Sequence, residues 1–180
     1  MTTQERKKLN SSSQNSTDGQ HVAIERLQEM PVFGGLTEAA LEHLLLHTVD
    51  FRIRAGDSFF HAGHDGQGMF VLLQGRAVAA LEDSNSCFVL REFLAGDSFG
   101  EAAGIDLQPR SYSVHAREDC IALRVGADAF SALQGFDAEQ FTLFYMNIAR
   151  EFSRRLRVCE ERAFRYWRER SLIVAGEEVD

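Results

Sequence analysis

The residues with the most chemistry in this chain lie close together. The stretch from Phe99 to Val114 reads FGEAAGIDLQPRSYSV. It places Gly100 beside Glu101, with Arg110 and Ser111 nine and ten residues after Glu101. A buried carboxylate accepts hydrogen bonds from a hydroxyl. A guanidinium grips a phosphate through paired, charge-assisted bonds. The small residues between Glu101 and Gly104 let a backbone turn come close to a ligand, so that free N–H groups at a helix start point at an anion. Together these groups suit a ligand with one negative charge and a sugar-like hydroxyl. Glu101 narrows the choice, because a carboxylate repels a second phosphate nearby. The alternative use of the same residues is an ion pair between Glu101 and Arg110, or a site for a different small anion.

Such a constellation needs a frame. Residues 1–20 are rich in Ser, Thr, Asn and Gln with no apolar period, which predicts a disordered polar tail. Val22, Ile24, Leu27 and Met30 suggest a short helix ended by Pro31. Thr37 reads as an N-cap for a second helix reaching about His47, with Leu36, Ala40, Leu41, Leu44 and Leu45 as its apolar stripe. From Phe51 the pattern changes to short β segments: 51–54, 69–73, 77–81, 88–93, 113–116 and 121–125, bounded by Gly, Asp, Ser or Asn. Many short strands at this spacing imply a sandwich or a β-roll.

The pentapeptide Ala55-Gly56-Asp57-Ser58-Phe59 recurs as Ala95-Gly96-Asp97-Ser98-Phe99, 40 residues on. Gly-Asp turns leading into apolar strands at two equivalent corners are what a jelly-roll-like barrel needs. After Val125 the chain turns helical again. A short helix spans 128–133, Gly135-Phe136-Asp137 interrupts it, and Asp137 reads as the N-cap of a long helix from about Ala138 to about Arg170. Its stripe runs through Phe141, Phe144 or Tyr145, Ile148, Phe152, Leu156, Cys159, Ala163, and Tyr166 or Trp167, at steps of three and four. Residues 171–180 read as a partly apolar, acidic tail.

Phe99-Gly100-Glu101 followed by Pro109-Arg110-Ser111 resembles the phosphate-binding cassette of cyclic nucleotide-binding domains. These are the modules of catabolite activator proteins, cyclic-nucleotide-dependent kinases and cyclic-nucleotide-gated channels. The resemblance covers roughly residues 30–160. It implies an α+β fold that is mainly β: an antiparallel, jelly-roll-like β-roll of about eight strands, with an N-terminal helical bundle and a long C-terminal helix, together spanning 21–170. It implies that Glu101 takes the ribose 2′-hydroxyl and Arg110 the cyclic phosphate. Phe99, Gly100, Ala102 and Ser111 complete the ligand-binding cassette. Arg154-Arg155-Leu156 matches an R-R-L of the catabolite activators, after which polar side chains approach the adenine amino group. By that analogy Cys159 or Glu160 lies nearest the purine, with Glu160 accepting from the 6-amino group; the alternative is an ion pair of Glu160 with an arginine one turn away. The sequence departs from the family after the glutamate, where bulky aliphatics are common. Gly104 stands there instead, which costs a short helix about 1 kcal/mol relative to alanine.

Composition narrows the function classes. The chain has 180 residues, 44% apolar and 26% charged, enough for one domain with a proper core. No apolar run approaches the ~18 residues that span a membrane, and the polar start carries no signal-peptide pattern; a soluble, cytoplasmic protein without membrane insertion is expected. Cys87, Cys120 and Cys159 have neither zinc nor disulfide spacing. His43 and His47 share a helix face and His61 and His64 flank a glycine, but two ligands do not complete a metal site; no metal is expected. No nucleophile, P-loop or zinc-protease motif occurs, so the chain reads as a receptor, not an enzyme. The net charge of −8 speaks against nucleic acid, although residues 150–170 hold eight arginines against four glutamates. Only residues 171–180 follow the long helix, too few for a helix-turn-helix, so sequence-specific DNA is not the expected partner.

The expectation is therefore a stand-alone intracellular receptor that takes cAMP in preference to cGMP. Closure of the cassette and movement of the long helix about the hinge near 133–137 would signal to an effector protein, and the second half of the helix would support a homodimer. The competing expectation is a degenerate fold that serves as an interaction or dimerisation scaffold.

Overall fold

The computed structural model describes residues 24–66, 68–83 and 85–176, the side chains of 171–176 excepted. The expected polar tail, 1–20, lies outside the described residues.

Eight antiparallel strands form two four-stranded sheets facing each other. The strands are β1 (Thr48–Ile53), β2 (Ser58–Phe60), β3 (Met69–Gln74), β4 (Ala77–Glu82), β5 (Cys87–Phe93), β6 (Ser98–Phe99), β7 (Ser113–Ala116) and β8 (Cys120–Val125). One sheet has the order β1-β8-β3-β6, the other β2-β7-β4-β5. Every neighbouring pair joins strands distant in sequence except β4–β5, a hairpin, so the chain winds as a roll. The architecture is the mainly-β, antiparallel roll with flanking helices that the sequence implied.

The repeated pentapeptide explains how the roll turns its corners. Gly56 and Gly96 both have left-handed backbone, at φ 89° and 95°, a conformation that favours glycine. Their N–H groups bond across to Ala116 O at 2.9 Å and Leu72 O at 2.8 Å. Each copy then delivers a short strand: β2 to one sheet, β6 to the other. These two strands have three and two residues, too short for alternation to reveal, and the strand pattern of the sequence omits them. β1 begins at Thr48, three residues before the expected start, because Thr48–Ile53 pairs continuously with Val125–Cys120.

Helices close both ends. They are α1, described over residues 24–28, α2 (Glu38–Leu45), α3 (Glu101–Asp106), α4 (Ala127–Phe136) and α5 (Ala138–Gly176). Thr37 caps α2 as expected, its hydroxyl accepting from Ala40 N at 3.2 Å. α4 is longer than anticipated, since Gly135 and Phe136 remain helical, and Asp137 alone separates it from α5. The Asp137 carboxylate accepts from the N–H groups of Glu139 and Gln140, both at 3.0 Å, which starts α5 where the sequence placed its N-cap. α5 runs to Gly176, six residues beyond the expected end, so residues 171–176 are helix and not tail.

Two cores result. Leu36, Leu41 and Leu44 of the N-terminal segment pack with Val71, Leu123, Leu133, Phe144 and Ile148. Asn147, buried on the inner face of α5, donates to Val32 O at 3.2 Å and Gly34 O at 2.8 Å, fixing the first half of α5 to the N-terminal segment. The second core fills the roll with Phe59, Phe70, Leu72, Phe93, Phe99 and Val114.

Candidate functional site

The site forms where the β6–α3 turn meets Arg110. Gly100 has φ +81°, and a Cβ there would lie 2.5 Å from Arg110 Nη1 and 3.1 Å from the Phe60 ring. The position therefore admits only glycine, for backbone and space alike. Helix α3 begins at the next residue, which puts Glu101 in its first turn.

Arg110 is 6% exposed. Its Nη1 donates to Gly100 O, and its Nη2 to Gly68 O at 2.9 Å. Its carbon Cζ lies 4.2 Å above the Phe60 ring centroid. Among the described residues no carboxylate pairs with it, and its Nε is buried without a partner. Burial accordingly lowers its pKa, because desolvation penalises the charged form. The surrounding loop holds the Arg110 backbone by two bonds of 2.8 Å, from Gly63 N to Arg110 O and from Arg110 N to His64 O. A slot of about 80 Å³, lined by Gly100, Ala102, Arg110, Ser111 and Tyr112 among others, opens beside the guanidinium. With about 30 Å³ per liquid water, it suits a small anionic group.

Glu101 is 3% exposed and does not pair with Arg110. One carboxylate oxygen accepts from Arg155 Nη1 of α5; the other is buried without a partner. Arg155 also donates through Nη2 to the carbonyl and hydroxyl oxygens of Ser98. Burial, assisted by the Glu101 charge, raises the Tyr112 pKa. Burial and the nearby Arg155 lower that of Arg91, which lies 4.7 Å above the Phe93 ring.

A second, larger cavity of about 660 Å³ lies between the β4–β5 hairpin and α5, with Ala102 and Tyr112 of the cassette in its wall. Its walls are mostly apolar, including Phe88, Leu90, Phe152 and Val158, with Arg91, Arg155 and Arg162 among them. This is the size and character of a small-molecule site. Arg162 Nη1 donates to Leu90 O at 2.7 Å, tying α5 to β5 over the cavity.

The sequence-predicted residues fall into three groups. Gly100, Glu101, Ala102, Arg110 and Ser111 come together at the cassette. Phe99 contributes only backbone, since its ring is fully buried among Phe59, Phe70 and Phe93. Cys159 lines the larger cavity, whereas Glu160 is exposed and outside its wall. The residues not anticipated are Phe60, Tyr112 and the loop glycines Gly66 and Gly68. In the sequence Arg155 stands within the R-R-L motif, and nothing there marks a role at the carboxylate. Among the described residues no three His, Cys, Asp or Glu side chains converge for a metal ion.

Fold and cassette together define the class. Residues 51–134 match the family model for the cyclic nucleotide-binding domain. Among curated proteins it is similar to a cAMP-dependent protein kinase regulatory subunit of Emericella nidulans, 32% identical over 111 residues, 61% of this chain and 26% of that one. Among solved structures it is similar to the catabolite activator protein of Thermus thermophilus, with 25% identity, a TM-score of 0.65, and coverage of 74% of this chain and 61% of that one. It is also similar to the regulatory domain of Toxoplasma gondii PKA crystallised with cAMP, with 26% identity, a TM-score of 0.57, and coverage of 64% and 44%. The chain spans about a quarter or less of the length of the curated relatives it matches. No helix among the described residues is long and apolar enough to cross a membrane.

Proposed function

We propose that the chain is a cyclic nucleotide receptor that takes cAMP in preference to cGMP and passes the signal to a partner protein. One observation carries the reading. A buried arginine that pairs with no carboxylate among the described residues, and whose Nε lacks an acceptor, shares the cassette with a buried glutamate oxygen that lacks a donor. Unpaired buried polar groups cost about 1–3 kcal/mol each, so the site is poised for a ligand that supplies both an anion and a hydroxyl. A cyclic nucleotide supplies them on one ribose. Arg110, the Gly100 and Ala102 backbone and the Ser111 hydroxyl would hold the phosphate. Glu101 would take the 2′-hydroxyl, and the base would enter the apolar cavity beside Cys159. The cAMP carried by the Toxoplasma relative supports that choice of ligand.

The site's polar groups offer hydrogen-bond donors and an acceptor, which supports binding. In the signalling step, ligand contact at Glu101 would be felt by Arg155 and so by α5, with Asp137 as the hinge. The exposed seam of α5 would pair two copies or meet the effector. We place this activity in the cytoplasm, where cyclic nucleotides are made.

A second reading, a scaffold that no longer binds nucleotide, is favoured by the Arg155–Glu101 contact, which half satisfies the carboxylate without ligand. Calorimetric titration with cAMP and with cGMP decides between them. Saturable 1:1 binding, weakened at least ten-fold by Arg110→Lys or Glu101→Gln, supports the receptor. Heat of dilution alone with both nucleotides supports the scaffold.

A further inference from the structure

What keeps the buried Arg110 cation in place when no acid among the described residues pairs with it? Hydrogen bonds from Nη1 and Nη2 to two glycine carbonyls fix one edge of the guanidinium. Its face rests on Phe60, at 4.2 Å from Cζ to the ring centroid, well within the distance at which a cation is attracted to an aromatic face. Phe60 is itself held in an aromatic cluster, at 6.0 Å from Phe70, 6.2 Å from Phe99 and 6.1 Å from Tyr112 between ring centroids.

The backbone is irregular at the residue that makes this contact. In a regular strand Phe59 and Phe60 would point to opposite faces of the sheet. Both instead pack on the core of the roll. The register explains why: Ser58 pairs with His115 and Phe60 with Val114, so β2 advances two residues while β7 advances one. The extra residue makes a β-bulge, a feature that re-aims a side chain and often borders a functional site. Here it turns the Phe60 ring beneath Arg110 instead of outward.

We propose that Phe60 is a positioning residue for anion recognition, and that the β2 bulge serves to place it. The ring fills the face of the guanidinium and stabilises the charge without using its N–H donors. An acid in the same place would take those donors and cancel the charge the ligand needs. Phe60 thus leaves the Nε edge unpartnered and Arg110 cationic. The inference rests on the nucleotide reading for its ligand, but not for the coupling between the two side chains.

The test therefore has one arm that needs no ligand. Phe60→Leu keeps an apolar side chain without a π face, and Phe60→Trp keeps the face. In urea unfolding of the ligand-free protein, the midpoint shift caused by Phe60→Leu should be at least halved when Arg110 is already Met. An equal shift in both backgrounds would overturn the coupling. In titrations with cAMP, Phe60→Leu should bind on the order of ten-fold more weakly and Phe60→Trp close to the parent. Unchanged cAMP affinity in a folded Phe60→Leu protein would overturn the positioning role. Should the parent bind neither cAMP nor cGMP, the nucleotide reading fails, and the urea arm alone upholds or overturns the Phe60–Arg110 pairing.

Discussion

Arg155, in the middle of α5, donates to Glu101 at the start of α3, across 54 residues of sequence. The contact joins the long helix to the buried carboxylate of the cassette. Both partners are largely withdrawn from water, with side-chain exposures of 16% and 2%. Removing one member of a buried pair strands the other charge, at a cost of about 3–5 kcal/mol. Arg155→Met should therefore destabilise the ligand-free protein by about 3 kcal/mol. Adding Glu101→Gln should recover much of that loss, because the stranded charge is gone. Urea unfolding of the four proteins of this cycle measures the coupling; strictly additive effects would mean that the pair carries no energy.

The cassette's glycines make opposite predictions. A Cβ at Gly104 would lie 3.8 Å from Gly68, an ordinary contact, so Gly104→Ala has room. It should stabilise the protein by up to about 1 kcal/mol through helix propensity, tightening the cassette that the sequence leaves loose there. A Cβ at Gly66 would overlap Ala103 of α3 and lie 3.2 Å from Arg110 Nε. Gly66→Ala should push α3 away from the loop, lowering both the melting temperature and the nucleotide affinity. Thermal melts of the two variants, with and without cAMP, should move in opposite directions.

The contrast between these glycines shows what the sequence carried. Gly100, Glu101, Arg110 and Ser111 were legible because they lie within one short segment whose order is itself a signal. The β-roll was legible from turn chemistry, above all the repeated Ala-Gly-Asp-Ser-Phe. Gly66 and Phe60 were not, because their importance comes from a loop folding back on α3 and from a bulge, neither of which leaves a local pattern. Arg155 was hidden differently. Eight arginines between residues 150 and 170 look alike in sequence, and only the rotation of α5 about its axis picks the one that reaches the cassette. The end of α5 is not legible because the sequence after Arg170 reads as an acidic tail, whereas the helix persists to Gly176.

That same rotation separates Cys159 from Glu160. Cys159 lines the larger cavity and Glu160 does not. Glu160→Gln should therefore leave the ratio of cAMP to cGMP affinity within about two-fold of the parent, because successive helical residues point about 100° apart, which turns the carboxylate away from the cavity. Cys159→Trp adds a large ring to the cavity wall and should weaken both nucleotides, by at least ten-fold if the base sits there. Competition titrations with the two nucleotides check both variants. A changed ratio in Glu160→Gln would restore the carboxylate to the base site.

Beyond the cavity, α5 presents Leu156, Phe164, Tyr166 and Trp167 to solvent, with Trp167 63% exposed. Apolar side chains at this density on one helix ask for a partner surface. A second copy is the simplest occupant, since two such helices crossing on a twofold axis bring Leu156 and Ala163 of each against those of the other. Sedimentation at micromolar concentration should then give twice the chain mass of 20.2 kDa. Leu156→Asp with Ala163→Asp should halve the sedimenting mass while leaving nucleotide affinity within a few-fold of the parent, because neither residue lines the cavity. A parent that sediments as a monomer with and without cAMP would refute the homodimer and assign the seam to the effector.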